Sequence, residues 1–126
     1  MLVLDSGGLS RLSARRPERA AMIAVFRREG LWPPVVPSVV VAESTTGRQR
    51  DDAGINRFLE TCDIVEEVPR HLARRAGNLR ALARRGSAVD AIVIALAEPG
   101  GTVLTGDIGD LEALASQAEG VHVHRV

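Results

Sequence analysis

No lysine occurs in the 126 residues; all 16 basic side chains are arginine. That absence excludes some chemistry at once. A phosphate-binding loop of the Gly-Lys-Ser/Thr type has no lysine to offer, and Schiff-base catalysis has no amine. Aromatics are nearly missing too: Trp32, Phe26 and Phe58 are the whole set. Cys62 is the single cysteine, so no internal disulfide can form. This usage suits a reducing cytoplasm. No apolar run approaches the ~18 residues that a membrane span needs. Met1–Asp5 has no basic stretch ahead of its apolar residues and meets a carboxylate immediately, so it is not read as a signal peptide.

Charge of one sign is lacking as well, since 16 acids balance the 16 arginines. The distribution is uneven. Residues 1–50 hold eight arginines and four acids, 51–100 hold seven and eight, and 101–126 hold one and four. A basic region beside an acidic site suits a metal-dependent nuclease. It equally suits ordinary solvated helix faces.

What is present is a chain of 126 residues that is 45% hydrophobic. One domain, 1–126, is expected, burying roughly two-thirds of its unfolded surface. Residues 1–4 read as a buried strand ending in Asp5, and 17–29 as an amphipathic helix stopped by Gly30. Val35-Val36 is a short strand, and Ser38 is the expected N-cap of a helix running to Ser44. Residues 47–52 read as a loop, 53–61 as a helix and 63–67 as a strand. An arginine-rich helix spans 69–85, closed by Gly86, and Ser87 caps a further helix over 88–98. After the break at Pro99-Gly100-Gly101 come a strand at 102–105, a helix from Asp107 or Ile108 to about Gln117, and a last strand at 121–124. Alternating strands and helices imply an α/β fold with a mostly parallel sheet between helices. Functional sites in such folds lie outside the carboxyl ends of the strands. Asp5 and Asp107 would both stand on that edge.

Five acids occupy informative places: Asp5, Glu43, Asp90, Asp107 and Asp110. Each alone has a structural explanation. Asp90 follows Ser87 by three residues and completes a capping box. Asp107 suits an N-cap, Asp110 the positive end of a helix, and Glu43 a solvated helix face. Together they point elsewhere. Asp5, Glu43 and Asp90 are embedded in apolar stretches, where a carboxylate is expensive unless it is paired or metal-bound. Converging carboxylates raise one another's pKa, and a hard divalent cation relieves the repulsion. All-oxygen donors favour Mg²⁺ or Mn²⁺ over Zn²⁺, and such ions serve phosphodiester hydrolysis.

The ordered set of Leu4-Asp5-Ser6, the helix start at 37–43, Val89-Asp90-Ala91 with its apolar continuation to Ala97, and Thr105-Gly106-Asp107-Ile108-Gly109-Asp110-Leu111 resembles the PIN domain. The short length resembles its VapC-type branch, the toxins of VapB/VapC toxin–antitoxin pairs. The likeness runs nearly end to end. It implies a PIN-like three-layer α/β/α sandwich and a Mg²⁺-dependent endoribonuclease, with Mn²⁺ as the alternative ion. It implies a metal-binding quartet of Asp5, Glu43, Asp90 and Asp107, with Asp5 and Asp90 as direct ligands and Asp110 in support. Ser6 or Thr105 could hydrogen-bond a ligand or the acids. The implied reaction is in-line attack of activated water on RNA, leaving 5′-phosphate and 3′-hydroxyl ends. A homodimer and a VapB-like antitoxin covering the site complete the expectation. Two departures stand out. Ser6-Gly7-Gly8 replaces a bulkier turn and is expected to loosen the segment after Asp5. Gly106 occupies a place where such toxins often carry a larger side chain.

A catalytically silent PIN-like module that binds RNA or protein is the rival reading. A haloacid-dehalogenase-type phosphatase or a receiver domain fits less well. The phosphatase wants a second Asp where Gly7 stands, and both want a lysine. Further residues carry weaker suggestions. His122 and His124 share a strand face and suggest a metal pair, with distant His71 the only other histidine; terminal-strand residues without ligand duty are the plainer reading. Arg74, Arg75, Arg84 and Arg85 suggest either phosphate contacts or a solvated helix face. Trp32 could stack a base or pack a helix end. Met22 and Phe26, spaced i, i+4, read as core or dimer seam.

Overall fold

The computed structural model describes residues 1–126. Its centre is β1 (Leu2–Leu4), fully buried on both faces. A strand buried on both faces must be apolar throughout, as Leu-Val-Leu is. β2 (Val35–Pro37) and β4 (Thr102–Thr105) flank it; β3 (Asp63–Val65) and β5 (His122–Arg125) form the edges. The order is β3-β2-β1-β4-β5, and every pairing is parallel. Leu4 lies opposite Leu104, so both strands end at the same level.

Seven helices flank the sheet. α1 (Ser6–Ser13), α3 (Ser38–Ser44) and α4 (Gln49–Leu59) form one group; α5 (Arg70–Ala83), α6 (Ala88–Ala97) and α7 (Gly109–Ala115) form another. Both α1 and α6 touch β1 and β4, so the sheet lies between the groups. α2 (Pro17–Arg28) buries only Phe26. The fold is the expected α/β sandwich, with a sheet that is wholly rather than mostly parallel. Its core is one cluster of 21 buried apolar residues centred on β1, β4 and α6.

Several local expectations need correction. The sequence does not suggest α1, because glycine is a poor helix former and Gly7-Gly8 reads as a loose turn. Tertiary contact overrides that. A Cβ on Gly8 would overlap the Leu104 carbonyl, and one on Gly7 would stand 2.6 Å from the Gly106 nitrogen. The glycines therefore let α1 lie directly against β4, and the segment is tight. Ser38 is not an N-cap. Pro37 holds that position, and the Ser38 hydroxyl donates across to the Glu66 carbonyl. α4 begins at Gln49, inside the expected loop. The reason is Asp52, whose carboxylate accepts from the Thr46 and Gly47 amides at 2.9 and 3.0 Å and organises the entry turn. α5 ends through Arg84 in the left-handed region (φ 57°), ahead of Gly86. α7 starts later than expected, at Gly109.

Candidate acidic cleft

Asp5 leaves β1 at its carboxyl end and caps α1. Its Oδ1 accepts from the Gly8 amide at 2.7 Å, and its Oδ2 accepts from the Thr105 hydroxyl at 2.5 Å. Thr105 is fully buried at the end of β4, so the two parallel strands deliver donor and acceptor to one point. The same hydroxyl accepts from the Asp107 amide at 3.0 Å and lies 2.9 Å from the Asp107 carbonyl. One proton cannot serve both acceptors, and the shorter contact is to the carboxylate. Thr105 thus ties β1 to the β4–α7 loop through Asp5.

Burial holds the Asp5 carboxyl above its ordinary range, with a smaller push from the Asp90 charge; the Thr105 and Gly8 hydrogen bonds offset part of this. Asp90 sits half-buried in the first turn of α6. The expected capping box is present, with the Asp90 amide 3.0 Å from Ser87 Oγ and the Ser87 amide 3.4 Å from Asp90 Oδ2. The second bond is long, and Oδ1 has no protein partner, so capping leaves this carboxylate free to act in the cleft. Asp107 is exposed, with Oδ1 accepting from the Gly109 amide at 3.2 Å. Asp110 Oδ1 accepts from Arg85 Nε at 2.7 Å.

Asp5, Asp90, Asp107 and Asp110 line a single cavity of about 270 Å³ together with Ser6, Gly7, Gly106 and Leu111. Glu43, on α3, is not among its lining residues and reaches solvent. It still feels the cleft. Partial desolvation raises its carboxyl first, and the charges of Asp90 and Asp5 raise it further. Asp5, Glu43 and Asp90 therefore repel one another across a shared space.

The donors suit a hard divalent cation, being oxygens only. No three Asp, Glu, His or Cys side chains are drawn together into a closed metal cage. Mg²⁺ does not require one. It keeps several waters and is usually held by one or two carboxylates. Asp5 and Asp90, in one cleft where the Asp90 charge raises the cost of ionising Asp5, meet that need.

Other suggestions resolve differently. Arg75 is committed to Glu98 by two bonds of 2.8 and 2.7 Å, and Arg85 to Asp110, so neither is a free phosphate contact. Arg74 and Arg84 remain exposed. His122 and His124 border an apolar groove with Met22, Val25 and Phe26, and no third ligand joins them. Trp32 packs edge-on against Phe58 (6.2 Å, 69°), with Arg27 over its face at 5.6 Å. Sequence reasoning missed the Arg85–Asp110 pair and the Gly7–Gly106 approach. Each joins segments about 25 or 100 positions apart, which local patterns do not reveal.

No protein-family model matches the sequence, and no curated protein matches it significantly. Solved structures do match. VapBC2 from Rickettsia felis, bound to a DNA fragment from their promoter, superposes with a TM-score of 0.71 at 12% identity, over 99% of this chain and 98% of that one. FitAcB from Neisseria gonorrhoeae gives 0.64 at 20% identity, over 98% and 96%. PAE2754 from Pyrobaculum aerophilum gives 0.63 at 15%, over 97% and 89%. At these identities the likeness establishes the fold. The chain has the PIN-like α/β fold along its full length.

Proposed function

We propose that this PIN-like chain, one domain over 1–126, is a Mg²⁺- or Mn²⁺-dependent endoribonuclease acting as the toxin of a VapB/VapC-type pair. One observation carries the reading. Asp5, Asp90 and Asp107, from three distant segments, line one cleft at the carboxyl edge of a parallel sheet. A divalent cation bound there supplies charge neutralisation at the scissile phosphate and lowers the pKa of water.

The side chains have separable tasks. Asp5 and Asp90 would hold the cation. Gly8 and Thr105 fix the Asp5 carboxylate so that it presents its remaining lone pairs in one direction. Glu43, with its raised pKa and access to solvent, is a better proton acceptor than an ordinary carboxylate. Asp107 and Asp110 border the cleft and complete its negative field. A homodimer and a VapB-like antitoxin follow from the same family likeness, as does a cytoplasmic location. No helix is long and apolar enough to cross a membrane.

The test is cleavage of a mixed RNA panel with Mg²⁺ or Mn²⁺, with EDTA and Asp90→Asn as controls. Metal-dependent cutting that the variant lacks by a factor of at least about 10² supports the reading. The rival is a silent RNA- or protein-binding module, favoured by the lack of a closed ligand cage. RNA binding by a folded, antitoxin-free protein that cuts nothing would select it.

A further inference from the structure

A second concavity lies between α1, the start of α2 and α4, with a volume of about 660 Å³. Four arginines line it: Arg15, Arg19, Arg50 and Arg57. None of them pairs with a carboxylate. Asp51, the one acid along the groove, stands 3.9 Å from Arg48 instead. Arg19 is held 5.7 Å over the Phe58 ring, which fixes one guanidinium in place. Four unpaired cations around one hollow repel each other, and the other three are exposed, so core packing does not explain them. Guanidinium groups are suited to phosphate oxygens.

Helix α1 joins this groove to the acidic cleft. Ser6 lines the cleft, and Ser10 and Ser13 line the groove. Positions i, i+4 and i+7 share one helix face. The seven-residue rise is about 10.5 Å, which a stacked strand at ~3.4 Å per phosphate covers in about three nucleotides. Apolar lining is confined to Ala14, Ile55 and Phe58. A protein partner would find few apolar anchor points there.

We propose that this arginine groove holds the backbone of single-stranded RNA about three nucleotides away from the cleft, with the strand running along the serine face of α1. The proposal rests on the nuclease reading of the cleft, which repels phosphates until a cation is bound and so needs a separate grip on the substrate.

The test measures binding without cleavage. In EDTA, fluorescence anisotropy follows a labelled single-stranded 12-mer RNA and a dinucleotide over a range of salt. The proteins are wild type, Arg50→Gln/Arg57→Gln and Arg15→Gln/Arg19→Gln, each checked for folding by circular dichroism. Because Arg19 packs on Phe58, the exposed Arg50/Arg57 pair is the decisive variant. Each lost contact should flatten the slope of log K against log salt by about 0.7, so a double variant loses about 1.4. The dinucleotide, too short to span the four arginines, should bind wild type far more weakly than the 12-mer and with a shallower salt slope. An unchanged slope and affinity for the 12-mer would overturn the proposal. So would a Glu-rich peptide that binds wild type more tightly than the RNA does and loses that binding in the variants, which would assign the groove to a protein. Groove-dependent binding by a wild type that cuts no RNA with Mg²⁺ would remove the nuclease reading and leave the groove standing.

Discussion

Thr105→Val removes one hydroxyl from a fully buried position and keeps nearly the same shape. The structure sets the consequence. Asp5 Oδ2 loses its 2.5 Å donor, and the Asp107 amide loses its acceptor. A hydrogen bond to a charged group contributes about 1.5–3 kcal/mol, so a loss of about 2 kcal/mol is expected at neutral pH. For a chain of this length that lowers Tm by roughly 8 °C. The pH dependence gives a sharper check. Asp5 titrates above its ordinary value of 3.8 in the folded state. The folded protein therefore binds that proton more tightly than the unfolded chain does. Its stability falls as pH rises from the ordinary value through the raised one. The Thr105 hydroxyl opposes this by favouring the ionised form, so Val should push the Asp5 carboxyl higher still and steepen the fall. Thermal melts at pH 4 and pH 7 measure both effects. Thr105→Ser, which keeps the hydroxyl, should recover most of the loss. A Val variant with wild-type Tm at both pH values would refute the claim that Thr105 supports the Asp5 carboxylate.

Gly8→Ala should destabilise by about 1–3 kcal/mol despite alanine's better helix propensity, because the added methyl overlaps the Leu104 carbonyl; a stabilised variant in urea melts would mean that α1 does not press on β4. Glu98 is held below the usual carboxylate range by its bonds to Arg75, so its contribution is present above the ordinary value of 4.5 and is lost as pH falls through the lowered one. Glu98→Gln should therefore cost about 1 kcal/mol at pH 7 and much less at acid pH, where melts of the two proteins should converge. Arg85→Gln breaks a half-exposed pair, so stability should change by less than about 0.5 kcal/mol. Removing that cation beside Asp110 should strengthen cation binding in the cleft, lowering half-saturating Mg²⁺ roughly two- to fivefold in the cleavage assay; a raised requirement would show that Arg85 serves the substrate.

Much of the layout follows from local sequence. Leu2–Leu4 is an apolar run and Thr102–Thr105 a run rich in β-branched residues, both of strand length, and Ser87 with Asp90 spells a capping box ahead of an apolar helix. Their alternation with helices implies a parallel sheet, and that topology alone sends Asp5 and Asp107 to the same edge. Neighbouring residues decide such features, through periodicity and capping, so they are legible without coordinates. Tertiary structure decided the rest. Gly7-Gly8 reads locally as a loose turn, yet it forms the start of a helix that Asp5 caps and that lies too close to β4 to leave room for a Cβ. Asp110 is a free carboxylate in sequence and an Arg85 partner in space. Glu43 stands outside the cavity that takes the other acids and is joined to them only by charge. Arg15 and Arg19 meet Arg50 and Arg57 because α1 packs on α4. Contacts between segments so far apart arise from chain closure and packing, to which no short window of sequence is sensitive.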